Sequence, residues 1–236
     1  MPEQEAPDYP LSVSHEALRA IAAWGSDLRP CLVDIVADRS RPAYEHAAAA
    51  FLLRLPTLCD GLRCLGEAHL FDESATLARV VFEFAITARW VGKDNERAMD
   101  LGRDAAYHSA RGDGQRELWL GIPATSDNPP DEKKLPNLWA RAEQAGDDDL
   151  KRLYASFYQW GSDPTHNPTS VLAHLDDETA QQYGCGVAAL AVLAMAHLGG
   201  YAATNLEITD QPVRSAVQSW RAARAIATAR PSPGNG

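Results

Sequence analysis

Residues 75–91 read ATLARVVFEFAITARWV, and this stretch decides the fold class. Its spacing predicts a helix with apolar side chains on nearly every side, as is typical of a helix packed among others. Apolar residues recur at spacings of three and four through nearly every other segment, without a sustained run of alternating β-branched residues. The sequence therefore predicts an all-α protein built around this central helix.

Two long helices are predicted before the central one. The first begins near Ser14 and runs towards Ala37 with a kink at Pro30, and the second begins near Arg41 and bends at Pro56. The apolar face of the second helix consists of Leu52, Leu55, Leu58, Leu62 and Leu65.

After the second helix, Asp72 is the expected N-cap of the central helix, because its carboxylate can accept hydrogen bonds from the first turn. A polar helix to about Ala110 should be followed by a loop over residues 112–136, where Gly, Pro, Asp and Asn collect. The remaining segments with helical spacing are residues 138–160, 179–205 and 212–229, and a second polar loop covers residues 161–168. We predict a bundle of about six helices with long polar loops.

One domain is expected, because 236 residues of which 45% are hydrophobic suit one substantial core. We place it at residues 11–230, between a flexible segment at residues 1–10 and a disordered tail at residues 231–236. The first ten residues lack the basic start and the apolar stretch of a secretory signal. A cytoplasmic location is therefore predicted.

Charge and hydropathy argue against two classes of partner. The net charge of -10 and the pI near 5.1 disfavour broad attraction to nucleic acid or to an anionic membrane. The most membrane-like stretch, residues 187–200, falls short of the roughly 20 apolar residues that span a bilayer. We expect no membrane contact.

The cysteines lack paired spacing and are interpreted as reduced core residues: Cys31, Cys59, Cys64 and Cys185.

Arg79 and Glu83 are the unusual residues of the central helix. They are four positions apart, so they lie on one face of a helix that is otherwise apolar. Because burying an unpaired charge is costly, three interpretations stay open. The two side chains form an ordinary ion pair on a narrow exposed stripe, they form the floor of a polar pocket, or they contact polar groups of another helix.

His166 is the second candidate, in the polar loop that also contains Ser162. An imidazole titrates near neutrality and can serve as an acid or a base. Its ordinary alternative role is to hold the loop through hydrogen bonds to backbone groups.

A family resemblance connects these two regions. Residues 78–83 (ARVVFE) and 88–90 (ARW), with Tyr158, Ser162 and His166 spaced as Y-x3-S-x3-H, resemble a bacterial family catalogued as a domain of unknown function. Members of that family are all-helical, and the resemblance covers most of the chain.

The resemblance implies one converging site. Its positions in this chain are Arg79, Glu83, Ser162 and His166, with Tyr158 in the same motif. This chain also has Pro164 between the serine and the histidine, where the family more often has a continuous helix.

The chain is also similar, more remotely, to the HEPN superfamily, many of whose members are ribonucleases of toxin or phage-defence systems. Arg103 and His108, in RDAAYH, have the spacing of the arginine–histidine motif of those enzymes, although Asp104 follows the arginine directly. A nuclease would use His108 or His166 as an acid or a base, and Arg79 or Arg103 to stabilise phosphate charge. The alternative interpretation of residues 103–108 is a solvated helix face.

Strong motifs for metals and cofactors do not occur in the sequence. Paired Glu-x-x-His motifs, a phosphate-binding glycine loop and a hydrolase elbow are all missing. Asp104 and His108 have the spacing of two metal ligands, but two ligands do not make a site. We expect neither a metal nor a cofactor.

Two functional hypotheses result, and the sequence leaves open whether the chain is an enzyme. The first is a non-enzymatic module that binds a small ligand or a partner protein in a polar pocket near Arg79, Glu83 and His166. These three residues are also the catalytic candidates if it is an enzyme. A homodimer through an apolar helix face, such as the alanine-rich residues 187–201, is a further expectation. The alternative is a HEPN-like ribonuclease, and RNA is a partner only in that case.

Overall fold

A computed structural model describes residues 9–120, 134–148, 150–152, 154–155 and 177–229, and the predicted all-helical class is confirmed for them. Residues 148, 150–152 and 154–155 are helical as well. The helices with defined bounds are α1 (Tyr9–Asp27), α2 (Arg29–Ala37), α3 (Ala43–Glu67), α4 (Phe71–Val91), α5 (Asn95–Leu120), α6 (Leu138–Gln144), α7 (Asp177–Asn205) and α8 (Gln211–Ala229).

Helices α4 and α7 form the centre of the fold. Helix α7 packs along α4 and also contacts α1, α3 and α8, while α6 packs on α4 and α5 packs mainly on α3. One apolar core joins α1, α2, α3, α4, α6, α7 and α8, and it includes Val81 and Phe82 of α4 and Met195 of α7. Helix α5 packs instead through a second, smaller cluster that contains Trp90, Val91 and Ala98. The prediction of an apolar central helix is therefore confirmed for α4.

Helix α7 begins two residues before the predicted helix over residues 179–205, and its apolar stretch is longer than the predicted residues 187–200. Gln182–Asn205 would be able to cross a membrane by length and composition alone. More than half of its most apolar window is buried inside the protein, as in the core helix of a folded domain. Its small side chains, such as those of Ala191 and Ala194, are buried in contacts with other helices of this chain.

The count of about six helices was too low, partly because two predicted helices are interrupted. Pro30 lies in the first turn of a separate helix α2, where its missing N–H costs nothing, instead of kinking one long helix. The predicted helix over residues 138–160 ends at Gln144. Gly146 then adopts a left-handed conformation with φ of 67°, which a glycine accepts readily after a helix.

Three predicted boundaries were also wrong. Helix α1 begins at Tyr9, before the expected Ser14, since a proline in a first turn is no obstacle. Helix α4 begins at Phe71 with Leu70 as its N-cap, so Asp72 lies in the first turn, where the helix dipole favours a carboxylate. Helix α5 continues to Leu120 through the start of the predicted loop, because isolated glycines weaken a helix without ending it.

The prediction that all four cysteines are core residues was wrong. Cys59 is buried in the core, whereas Cys31 and Cys64 are exposed and Cys185 is intermediate. Helical periodicity explains the difference, because Cys59 is one residue past Leu58 on the apolar face of α3 and Cys64 lies on the opposite side.

Candidate functional site

Arg79 and Glu83 form the predicted ion pair on α4. Arg79 Nε donates to Glu83 Oε1 over 3.2 Å, and the two side chains are 23% and 31% exposed. The pair is thus neither on an open surface stripe nor sealed in the core. It lies at a partly open edge of the central helix.

The other half of the predicted site cannot be placed. Tyr158, Ser162 and His166 lie outside the described residues. Their convergence with Arg79 and Glu83 therefore stays a prediction.

Thr87 extends the polar stripe of α4 by one turn. Its buried hydroxyl donates to the carbonyl of Glu83 over 2.8 Å and accepts a hydrogen bond from Arg141 Nη1 over 3.0 Å. Arg141 belongs to α6 and also donates from Nε to the carbonyl of Pro136 over 2.8 Å. A guanidinium from a distant part of the sequence thus reaches the stripe beside Glu83.

Trp90 supports this guanidinium from the next turn of α4. The Cζ atom of Arg141 lies 5.6 Å from the centre of the buried indole ring, a distance that allows a cation–π interaction. The indole N–H donates to Gln144 Oε1 over 2.8 Å. Helix α6 is therefore attached to α4 by Arg141 and by Gln144, one turn apart.

The start of α6 is defined by its own cap. Asn137 has extended backbone angles, and its side-chain oxygen accepts the N–H of Ala140 over 2.9 Å. An asparagine cap satisfies an N–H group of the first turn that has no partner within the helix. The cap and the left-handed Gly146 limit α6 to a short helix with Arg141 near its middle.

The electrostatic environment of Arg141 is unusual. Burial lowers the pKa of its guanidinium from the usual value, and the negative charges of Asp104 and Glu83 act in the opposite direction. An arginine stays charged in either case. Its desolvation is thus only partly compensated by charges that lie nearby.

The carboxylate of Asp104 on α5 acts on Arg141 from a distance, and His108 pairs with this carboxylate. His108 Nε2 lies 3.6 Å from Asp104 Oδ1, one turn apart on α5, and the Asp104 side chain is largely shielded from solvent. Arg103 instead pairs with Asp100 over 3.1 Å. Arg103 and His108 thus pair with different carboxylates of α5, and a joint role of the two stays a prediction.

A second polar cluster lies where the chain leaves α6. Asp147 Oδ2 accepts the hydroxyl of Tyr201 over 2.9 Å and lies 3.7 Å from Arg89 Nε. Burial raises the pKa of the Asp147 carboxyl. Hydrogen bonds from the Leu150 N–H and from Tyr201, together with the charges of Arg89 and His197, lower it by a larger amount, so the pKa is below its usual value. This cluster joins the end of α6 to α4 and α7.

Three of the charged residues of this region were candidates from the sequence: Arg79 and Glu83 as a pair, and Asp104 only as a neighbour of Arg103 and His108. Thr87 and Trp90 continue the spacing of Arg79 and Glu83 at intervals of four and three residues, so this stripe was visible in the sequence. Arg141 carried no such signal. Its contact with Thr87 spans 54 residues and depends on how α6 packs against α4.

Metal binding finds no support in the part of the chain that the structure describes. No group of three His, Cys, Asp or Glu side chains there is arranged to hold an ion.

A groove of about 490 Å³ between α1 and α8 contains none of the polar residues described above. It is lined mainly by small side chains, with Trp220 and Glu16 among the larger ones.

Comparisons with protein-family models, with curated proteins and with solved structures gave no match for this chain.

Proposed function

We propose that this protein is a helical binding module that takes a small polar ligand, or a polar segment of a partner protein, at the edge of α4 beside α5 and α6. The site consists of Arg79, Glu83, Thr87, Asp104 and Arg141. His166 is the predicted further member. Activity as an enzyme is not required by this proposal.

The observation that carries the proposal is the partial burial of charge at Arg141. A guanidinium withdrawn from water costs free energy unless it gains partners. In this protein the side chain is held in place by two neutral acceptors and an indole ring rather than by a carboxylate. An arrangement of this kind is expected where a ligand supplies the missing interactions, because rigid, partly satisfied polar groups are typical of binding pockets.

A ligand screen tests the proposal directly. Purified protein would be heated with a panel of polar metabolites and short peptides, and compounds that raise the midpoint of thermal unfolding would be confirmed by calorimetry. A compound at about 100 times its dissociation constant should stabilise the protein by about 2.7 kcal/mol. Binding should be weakened in Glu83→Gln and Arg141→Gln but not in Glu96→Gln, on the exposed first turn of α5. The proposal fails if no compound binds, or if binding is the same in all four proteins.

A ribonuclease is the second candidate, and one observation favours it. The Asp104–His108 pair places an imidazole beside a carboxylate on α5, and the same carboxylate acts electrostatically on Arg141. A histidine oriented by a carboxylate is a common general acid or base, and an arginine can stabilise phosphate charge. Arg141 would take the role that the sequence pattern assigned to Arg103.

Cleavage of RNA by the purified protein tests this candidate. A nuclease that uses the pair should lose at least about a hundredfold in rate in His108→Ala, which is the lower range for loss of a general acid or base. His166→Ala would test the other predicted histidine, and His46→Ala on α3 is the control. Equal cleavage in all variants would point to a contaminating enzyme. If the parent protein does not cleave RNA, the ribonuclease candidate is excluded.

The predicted homodimer stays a prediction. The alanine-rich residues of α7 that suggested it are packed against other helices of the same chain. A dimer would therefore use another surface, and sedimentation analysis would give the oligomeric state.

A further inference from the structure

Arg141 differs from the other arginines whose side chains the structure describes. Four of them are partly buried, and three of these four have a carboxylate partner within 4.0 Å. The pairs are Arg63 with Glu67 at 2.8 Å, Arg79 with Glu83 at 3.2 Å and Arg97 with Asp94 at 3.3 Å. No carboxylate of the described residues lies within 4.0 Å of Arg141, although Glu83 and Asp104 act on it from farther away.

The hydrogen bonds of Arg141 also leave capacity for a ligand. A guanidinium has five N–H donors, and the bonds to Pro136 and Thr87 use two, which leaves three for which the described residues supply no acceptor. These two bonds and the Trp90 ring hold the group in one orientation. A fork of N–H groups that is already oriented matches the two oxygens of a carboxylate or the oxygens of a phosphate.

The surrounding charges distinguish a carboxylate from a phosphate. Glu83 and Asp104 offset part of the guanidinium charge from a distance, but they satisfy none of its remaining N–H groups. The same two carboxylates repel an incoming anion, and the repulsion increases with the charge on that anion. A planar anion with one negative charge therefore fits this site better than a phosphate with nearly two.

We infer that Arg141 anchors the carboxylate group of a small-molecule or peptide ligand, through two parallel hydrogen bonds from its guanidinium. This inference rests on the proposed binding function and specifies the chemistry of the ligand. Thr87 and Trp90 are positioning residues, because they hold the guanidinium and leave its remaining donors open.

The test uses three probes of similar size on the full chain: propionate, its neutral amide propionamide, and inorganic phosphate. Binding would be followed by NMR at the Arg141 Nε–H and Trp90 indole N–H signals, with sodium chloride added to keep ionic strength equal. Propionate should shift these signals with saturation, propionamide should not, and phosphate should bind more weakly than propionate. Glu83→Gln should reduce the preference for propionate over phosphate.

Variants of the arginine separate the fork from its charge. Arg141→Lys keeps the positive charge but loses the fork, so we expect propionate to bind at least about tenfold more weakly. Arg63→Lys is the matched control, since it changes a partly buried arginine that is already paired with Glu67, and its affinity for propionate should be unchanged. Equal thermal midpoints for the two variants would show that both remain folded. If Arg141→Lys is less stable, Trp220 indole signals at their native positions below its midpoint serve the same purpose, because Trp220 donates to Ser14 between α8 and α1, away from Arg141.

Several results would overturn the inference. Equal binding of propionate and propionamide, stronger binding of phosphate, no response to any probe, or an unchanged affinity in Arg141→Lys would each do so. None of these results removes the proposed binding function, which depends on the wider screen and on Glu83→Gln and Arg141→Gln in that screen. A hit without a carboxylate that still requires Glu83 would preserve that function and exclude this ligand class.

Discussion

Arg141 donates a hydrogen bond to Thr87 over 3.0 Å, and the same threonine hydroxyl donates to the backbone of Glu83. The hydroxyl therefore acts as both acceptor and donor between two helices. Any change that removes it should leave an N–H group of Arg141 without its acceptor, and such a group costs about 1–3 kcal/mol when it is buried.

Thr87→Val tests this connection, because valine has nearly the same shape without the hydroxyl. We expect the free energy of unfolding to fall by about 1–3 kcal/mol in urea titrations. Thr204→Val is the matched control, since Thr204 also donates to a carbonyl one turn earlier but is exposed. That control should change stability by less than about 0.5 kcal/mol. Equal losses in the two variants would contradict a specific role for the bond to Arg141.

Gly66 should not tolerate a side chain, because α1 approaches α3 closely there. A Cβ atom at this position would lie 2.7 Å from Nε2 of His15, and the imidazole is buried. We expect Gly66→Ala to lower the free energy of unfolding by about 1–3 kcal/mol, the usual cost of overpacking. Gly102→Ala on α5 has no atom within 4 Å of the new methyl group. It should instead raise stability by about 0.5–1 kcal/mol, and a loss there would contradict the packing argument.

Asp147 should make the stability of the fold depend on pH in the acidic range. The pKa of its carboxyl is lower in the folded protein than in an unfolded chain, so its contribution to stability is complete above the unfolded pKa and is lost as the pH falls through the folded pKa. The difference in unfolding free energy between the parent protein and Asp147→Asn should be largest near neutral pH and should shrink below about pH 4. Urea titrations across this range measure it.

Two neighbouring substitutions serve as comparisons for Asp147. Tyr201→Phe removes one of the hydrogen bonds that lower the pKa of Asp147 and should weaken the pH dependence. Asp148→Asn changes a side chain that is 82% exposed, so it should alter stability at neutral pH by less than about 0.5 kcal/mol. If stability depends on pH in the same way in the parent protein and in Asp147→Asn, other titrating groups cause that dependence and the prediction for Asp147 is wrong.

The cysteines should differ sharply in reactivity. Burial raises the pKa of the Cys59 thiol far above its usual range, and a thiol reacts as its thiolate. Cys31 and Cys64 are exposed, so iodoacetamide should modify both while Cys59 stays unmodified until the protein unfolds. Peptide mass spectrometry before and after addition of denaturant shows which cysteines are modified in the folded protein and which only after unfolding. Rapid labelling of Cys59 in the folded protein would mean that α3 opens locally.

Local patterns in the chain were sufficient for the helical class, for the central position of α4 and for the Arg79–Glu83 pair. The reason is that residues three or four apart lie on one face of any helix, whatever surrounds it. They were not sufficient for helix ends. A proline starts a new helix at Pro30 but lies within a continuous one at Pro56, and packing against neighbouring helices decides between these outcomes.

Local sequence patterns could not predict which residues meet at the candidate site. Arg141 and Asp104 are separated in the sequence from Glu83 and Thr87, and no periodicity relates a residue of α6 to one of α4. Their proximity results from the way in which α5 and α6 pack beside the central helix. The chain's short-range spacing thus specified one charged pair, whereas packing between distant segments placed a partly buried guanidinium beside it, because only side chains from different helices can enclose a site.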